Sequence, residues 1–496
     1  MILYIKLFIS MAIPFILGFL LTALIAGRGS RISFLERAGL AWSIGIGILG
    51  LLMFTMALFG ISLNFQTVLI PTLVIMLVLS SYLIINKFPV FDLPSFKRFS
   101  AGFLEIIREK NQWLKIAQIA LIIIITVTIA YAIFDATVKP LVEYDELWRQ
   151  GAIAKIIFVT GKVFTEQSVE LAAVHPYLNP LSQAWIHMGI GVWNDALGKI
   201  IFPLCFTALL FIFYANLRGR LPRFYALLFT YLLTSFPLIV FHAGTAYSDL
   251  MQTLYYSGGV LYLFRWMNEK ERPYLYFSAL LLGIGNFVKQ SGIPLWLAAT
   301  IILFVYIFVE ERKGIKTGLM FLLVSAAVSF PWLYYKIGFL MSLATKTIAK
   351  LTGIIGKTAI TGGEIPLSQN LPYGEPTLPN IFYHLGRRMF TYADWQILYF
   401  VLMLVLIFNW KQIWESKLKY LLLIIIMNFA LIIYAFTEPS TYNYLVDGTL
   451  VQRVMMYHAP IVLFLIAYPI FTNLSAKRIQ PLSDNARPNL RRSSSG

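Results

Sequence analysis

Apolar residues in this chain come in repeated runs of roughly 20, the length that crosses a hydrocarbon core at helical rise. Alternation at period two, the mark of a strand, is nowhere sustained. The runs fall near 3–26, 38–60, 65–86, 116–135, 194–216, 224–245, 249–266, 274–288, 292–309, 317–336, 394–410, 418–435 and 455–473. They predict an all-α polytopic membrane protein of about 13 transmembrane helices, since a chain in lipid has to satisfy its own backbone hydrogen bonds. The first run lacks a basic start beyond Lys6 and is followed by Arg28 and Arg31, so it reads as a retained helix rather than a cleaved leader.

Polar stretches between the runs are of two kinds. Short basic loops carry Arg28, Arg31 and Arg37, then Lys97, Arg98, Arg108, Lys110 and Lys115, then Arg218, Arg220 and Arg223. Lys270 and Arg272, Lys313 and Lys316, and Lys411, Lys417 and Lys419 complete the series. When the runs are counted off, all of these fall on one side, which the Lys and Arg excess marks as cytoplasmic. The amino terminus is then outside, and the tail with Lys477, Arg478, Arg487, Arg491 and Arg492 is inside. The outer face receives 140–191, 245–249, 289–292, 337–393 and 438–453, where the concentrated polar chemistry lies.

The expected organisation is therefore three leading helices with a cytoplasmic amphipathic linker (1–115), a core (116–336) with a first outer loop at 136–193, an extracytoplasmic loop (337–393), C-terminal helices (394–473) and a basic cytoplasmic tail (474–496). Short amphipathic helices are expected in the outer loops. In the 337–393 loop, Met341, Leu343, Ile348 and Leu351 interleave with Lys346 and Lys350 as in a helix lying on the membrane surface.

Composition agrees. With 59% hydrophobic and 13% charged residues and a mean hydropathy of +0.74, the chain is too apolar for an ordinary soluble domain. The net charge of +17 sits between the apolar runs rather than on one face, so topology explains it and no nucleic-acid partner is expected. The single cysteine, Cys205, excludes an intramolecular disulfide and a cysteine-based metal cluster.

Candidate chemistry gathers outside. Asp145 stands just after an apolar helix and shares helical spacing with Arg149 and with the apolar pair Ala152 and Ile156, which puts charge at a mouth and apolar surface below; a solvated loop acid or helix cap is the plainer reading. Asp249 has hardly any loop to hold it in water, so it either caps the next helix or faces a shared cavity. Lys289 sits at the outer end of its run, where it snorkels or meets a phosphate ester. Arg453 stands at an outer helix start, where the dipole disfavours a cation and welcomes an anion. A lipid phosphate between Lys289 and Arg453 satisfies both.

The histidines show no paired metal-ligand spacing, and a divalent cation, Mg or Mn, held by Asp145 and Asp249 stays an open alternative. Gly356-Lys357-Thr358 ends like a phosphate loop, but Leu351 stands where its first glycine belongs.

Five stretches in order carry a resemblance: Tyr144-Asp145-Glu146-Leu147-Trp148 with Lys155, His175-Pro176-Tyr177-Leu178-Asn179-Pro180-Leu181, Leu217-Arg218-Gly219-Arg220-Leu221, Tyr247-Ser248-Asp249-Leu250, and Gly285-Asn286-Phe287-Val288-Lys289-Gln290-Ser291-Gly292. Over roughly 139–296, and more loosely at Arg453, the chain resembles the bacterial membrane glycosyltransferases of the GT-C class, similar to the lipid A aminoarabinose transferases and the protein O-mannosyltransferases. Where relatives often have His-Pro-Pro, this chain has His175-Pro176-Tyr177.

The resemblance implies a GT-C-like helical bundle that takes a sugar from a polyprenyl-phosphate carrier and attaches it to a glycan, lipid or protein acceptor, outside a bacterial cytoplasmic membrane. It implies Asp145, Glu146 and Asp249 as catalytic acids and Lys289 and Arg453 as phosphate-binding cations. Tyr144, Trp148, Arg149, His175, Tyr247 and Gln290 are the candidate substrate-binding residues beside them. Phosphate is already a good leaving group, so such a transfer needs cations on the phosphate and a carboxylate, Asp145, to take the acceptor's proton, which inverts the anomeric centre. The rival readings are a flippase or transporter of lipid-linked sugars, which charges at the run ends rather than the midplane disfavour, and a glycan polymerase or ligase of the same architecture.

Overall fold

The computed structural model describes residues 1–28, 32–88, 104–172, 175–311, 314–358 and 374–479. Arg31, Lys97, Arg98, Lys313 and most of the basic tail lie outside them. Among the described residues every element is helical and there is no strand.

All thirteen apolar runs fall on helices. Among the described residues nine helices are long and apolar enough to cross a membrane: α1 (Ile2–Ala26), α2 (Phe34–Leu58), α3 (Phe65–Ile85), α4 (Gln112–Val138), Leu197–Arg218, Gly292–Glu310, Ile315–Phe339, Leu398–Glu415 and Leu418–Ala435. A tenth is broken: Arg223–Thr234 and Pro237–Gly244 meet at 69°. Pro237 at the start of the second piece removes a backbone donor, and at the break Gln396 Nε2 donates to the Ser235 carbonyl at 2.8 Å.

The remaining three runs, expected as spans, are the helices Ser248–Glu269, Arg272–Gly285 and Ala459–Ile479. The first of these is the interior helix of the bundle. Its side chains are buried almost throughout although they include Asp249, Gln252, Thr253, Ser257 and Arg265, so its low apolarity reflects protein neighbours in place of lipid.

Close helix crossings depend on glycine. A Cβ on Gly18 would overlap the Ala41 carbonyl, and one on Gly45 the Pro14 carbonyl, so α1 and α2 touch backbone to backbone. At the end of the bundle that holds the basic loops, Glu36 caps its own helix with Ser33 and pairs with Arg265 at 2.7 Å. Arg223 reaches Glu105 at 2.6 Å, Arg220 reaches Glu269 at 3.3 Å and Lys419 reaches Glu310 at 2.8 Å. Loops far apart in sequence thus gather on one face, as the charge pattern requires.

One boundary departs from expectation. The span near 317–336 does not end in a loop: the helix Ile315–Thr358 continues without a break through Pro331 and takes in the 341–351 segment expected on the membrane surface, together with Gly356-Lys357-Thr358. Lys346 and Lys350 interrupt the apolar run without interrupting helix propensity, so the hydropathy boundary lies before the helical one.

Candidate active site

The loop after α4 enters its site through a single π turn, Glu146–Gln150, which leads into the helix Gly151–Thr160. A π turn holds one more residue than an α turn. It keeps Arg149 Nη1 3.8 Å from Asp145 Oδ1 but rotates the Gly151–Thr160 helix, so that Ile153, Ala154 and Ile157 are buried where 3.6-residue spacing points to Ala152 and Ile156.

Glu146 is fully buried. Its Oε2 accepts the amides of Val142 and Glu143 at 3.1 Å each, and its Oε1 accepts the Ala246 amide at 2.5 Å. Lys199, equally buried, lies 3.8 Å from the same oxygen and donates to the Pro140 carbonyl at 3.1 Å. The carboxylate expected beside Asp145 as a catalytic acid therefore ties the segment that carries Asp145 to the turn that launches Asp249. Glu146→Gln should lower stability by about 1–3 kcal/mol, the cost of an unsatisfied buried group, read as the thermal midpoint in detergent, with less effect on turnover than loss of Asp145.

Asp249 sits in the first turn of the interior helix, where the dipole favours a carboxylate. Asn179 Nδ2 steadies the approach to it by donating to the Ala246 carbonyl at 2.9 Å and Ser248 Oγ at 3.1 Å. The Asp249 side chain is 0% exposed and accepts from four groups. These are Arg453 Nε at 3.0 Å, Arg453 Nη2 at 2.7 Å, Lys289 Nζ at 2.5 Å and the Tyr457 hydroxyl at 2.6 Å. Arg453 Nη2 also donates to Asp145 Oδ2 at 2.7 Å, and its guanidinium lies 4.6 Å from the Tyr247 ring centre. One arginine thus bridges both acids.

Arg149 Nη1 stands 3.2 Å from His175 Nε2. Arginine is only a donor, so Nε2 accepts and the proton resides on Nδ1. Burial, then the positive charges of Arg149 and Lys289, hold the His175 imidazole down at about 4, so it is neutral at neutral pH. Burial also pulls the Lys289 ammonium below the usual lysine range, against the opposing pull of Asp249.

Asp145, Arg149, Gln150, His175, Ser248, Val288, Lys289 and Arg453 line one small cleft, with Asp249 buried behind it. With Lys289 held as an ammonium by its ion pair to Asp249, it and the guanidinium groups of Arg149 and Arg453 face the two carboxylates of Asp145 and Asp249, so the cluster holds one uncompensated positive charge. Asp145, with 16% of its side chain exposed, is the more accessible acid.

Asp145, Arg149, His175, Asp249, Lys289 and Arg453 therefore meet, with Tyr247 beneath the guanidinium. Tyr144 and Trp148 do not join them: they are 73% and 62% exposed and stand outside the cavity lining, as does the half-buried Gln290. Sequence reasoning missed Tyr457, Gln150, Ser248, Val288 and Lys199. Only Tyr457 left a signal, four residues after Arg453 and so one helical turn away.

A divalent ion does not fit this donor set. Arg453 takes an oxygen of each acid, Lys289 and Tyr457 take the other oxygen of Asp249, and among the described residues no three His, Cys, Asp or Glu side chains converge.

No family model and no curated protein matches the chain. Among solved structures it is similar to the crystal structure of ArnT from Cupriavidus metallidurans bound to undecaprenyl phosphate, with 14% identity and a TM-score of 0.45 over 72% of this chain and 60% of that one. The chain thus spans about 60% of the length of that relative.

Proposed function

We propose that the chain is a glycosyltransferase of the GT-C class that moves a sugar from a polyprenyl-phosphate carrier to an acceptor at the outer face of a bacterial cytoplasmic membrane. The observation that carries this reading is the excess cation: Arg149, Lys289 and Arg453 line one cleft, and among the described residues the carboxylates paired with them are those of Asp145 and of Asp249 buried behind it. The cleft lies at the opposite end of the interior helix from Arg265 and the basic loops, about 24 Å away at the rise of an α-helix. A sugar phosphodiester of a lipid brings the one negative charge that balances it, and the membrane delivers that head group to a site at a helix end.

The residues divide the work. The acceptor oxygen attacks the anomeric carbon, the bond from that carbon to the phosphate oxygen breaks, the acceptor's proton passes to Asp145, and polyprenyl phosphate leaves. A second charge develops on the phosphate during this step, and Lys289 and Arg453, already held in place by Asp249, stabilise it without reorganisation. A phosphate that engages Arg453 also competes for the guanidinium bond to Asp145, which frees that carboxylate for its proton. The neutral His175 orients Arg149 at the rim.

Two measurements test this. Arg453→Ala should weaken binding of undecaprenyl phosphate by at least about tenfold, the scale of one charge-assisted hydrogen bond. With a labelled polyprenyl-phosphate sugar, the product should show an inverted anomeric centre by NMR. Unchanged binding, or a retained configuration, would count against the assignment.

A further inference from the structure

Two arginines adjoin in the outer helix Leu378–Phe390, and their surroundings differ. Arg387 lies over the ring of Tyr383, one turn back on its own helix. Arg388 is 9% exposed, and no carboxylate among the described residues pairs with it. A buried guanidinium without an acid is held only by well-placed acceptors, and all of those it has come from one short stretch of chain or its own helix end. Arg388 Nη2 donates to the Val446 carbonyl at 2.7 Å. With the Gln452 amide oriented to satisfy both neighbours, its oxygen accepts from Arg388 Nη1 at 3.1 Å and its nitrogen donates to the Gly448 carbonyl. The ring of Tyr392 covers the guanidinium at 4.2 Å.

Gly448 completes the enclosure. Its φ of +86° is in the left-handed region, and a Cβ there would overlap the guanidinium itself, so only glycine lets the chain pass. The segment from Val446 to Gln452 is thus wrapped around one side chain from another element, and the next residue is Arg453. The helix Val451–Met456 that carries Arg453 has six residues, too few to hold its own geometry, since a helix that short is unstable without tertiary support.

We propose that Arg388 is a positioning residue for Arg453: by anchoring the 446–452 segment it sets the guanidinium that bridges Asp145 and Asp249 where a phosphate meets it. This rests on the reading of Arg453 as a phosphate ligand. The consequence is that an element outside the cavity lining tunes affinity for the carrier.

The test is a double-mutant cycle on the purified full chain in detergent, with undecaprenyl phosphate as the probe. Arg388→Ala should weaken binding by about tenfold and, in the Arg453→Ala background, cost almost nothing more, because coupled residues are not additive. Gln452→Leu loosens the same anchor from the loop side with Arg388 intact. It should weaken binding in the same direction by a smaller factor, again without adding to Arg453→Ala, and it carries the test if Arg388→Ala does not fold. Losses that add in full to that of Arg453→Ala, or wild-type affinity in both variants, would overturn the proposal while leaving the phosphate site standing. An Arg453→Ala protein that binds as well as wild type would instead remove the reading on which it rests, and the proposal with it.

Discussion

Asp145→Asn should abolish measurable turnover while carrier binding stays at the wild-type level or rises. The carboxylate accepts from Arg453 Nη2 at 2.7 Å, lies 3.8 Å from Arg149 and lines the cavity, so of the two acids it is the one an acceptor can reach. Asparagine has the same shape and still accepts a hydrogen bond from Arg453, but it takes no proton from a nucleophile. Loss of a positioned general base costs about 10²–10⁴ in rate. The substitution also removes one negative charge from a cluster that already carries a positive excess, so an anionic head group is not repelled. Turnover of a labelled donor and titration with undecaprenyl phosphate separate the two effects. Near-normal turnover would take the base from Asp145, and a collapse in binding would make the residue part of the phosphate site.

Asp249→Ala should act mainly on stability. Its fully buried carboxylate is shared by Lys289, Arg453 and the Tyr457 hydroxyl, and its removal leaves Lys289 and the hydroxyl without that acceptor and Arg453 with Asp145 alone. Breaking a buried pair in this way costs about 3–5 kcal/mol. The drop in thermal midpoint, compared at one heating rate, should exceed that of Asp145→Asn clearly. Asp249→Asn, which retains an oxygen for Tyr457 or Lys289, should fall between them. A midpoint equal to that of the intact protein would mean that the cations find other partners, and that Asp249 is not what holds Lys289 and Arg453 in register.

The contrast between these acids shows why some of the site was legible and some was not. Asp249, Lys289 and Arg453 stand out in the sequence because each is a charge where an apolar run begins or ends, and the energetic penalty of that position is a local property. Glu146 looks equivalent to Asp145, its neighbour, until the fold brings Ala246 and Lys199 to it and buries it. Tyr457, for all its helical spacing from Arg453, reads as an ordinary aromatic, and Arg388 as an ordinary basic residue. Their partners, Asp249 and the Val446 carbonyl, lie 208 and 58 positions away, and no spacing rule spans such distances. The π turn at Glu146–Gln150 was hidden for a related reason: it is one extra residue in an otherwise helical pattern, stabilised by what it packs against.

By itself the sequence determined that this is a helical membrane protein, where its apolar runs form helices and which loops share a face, because span length and charge bias act through each segment's own transfer from water to lipid. Only the tertiary structure decided which charges meet, that Arg453 joins two acids, that Glu146 is a clamp, and that the helix after 315 continues to 358. Those outcomes depend on pairing energies between segments, which come into existence only when packing brings the segments together.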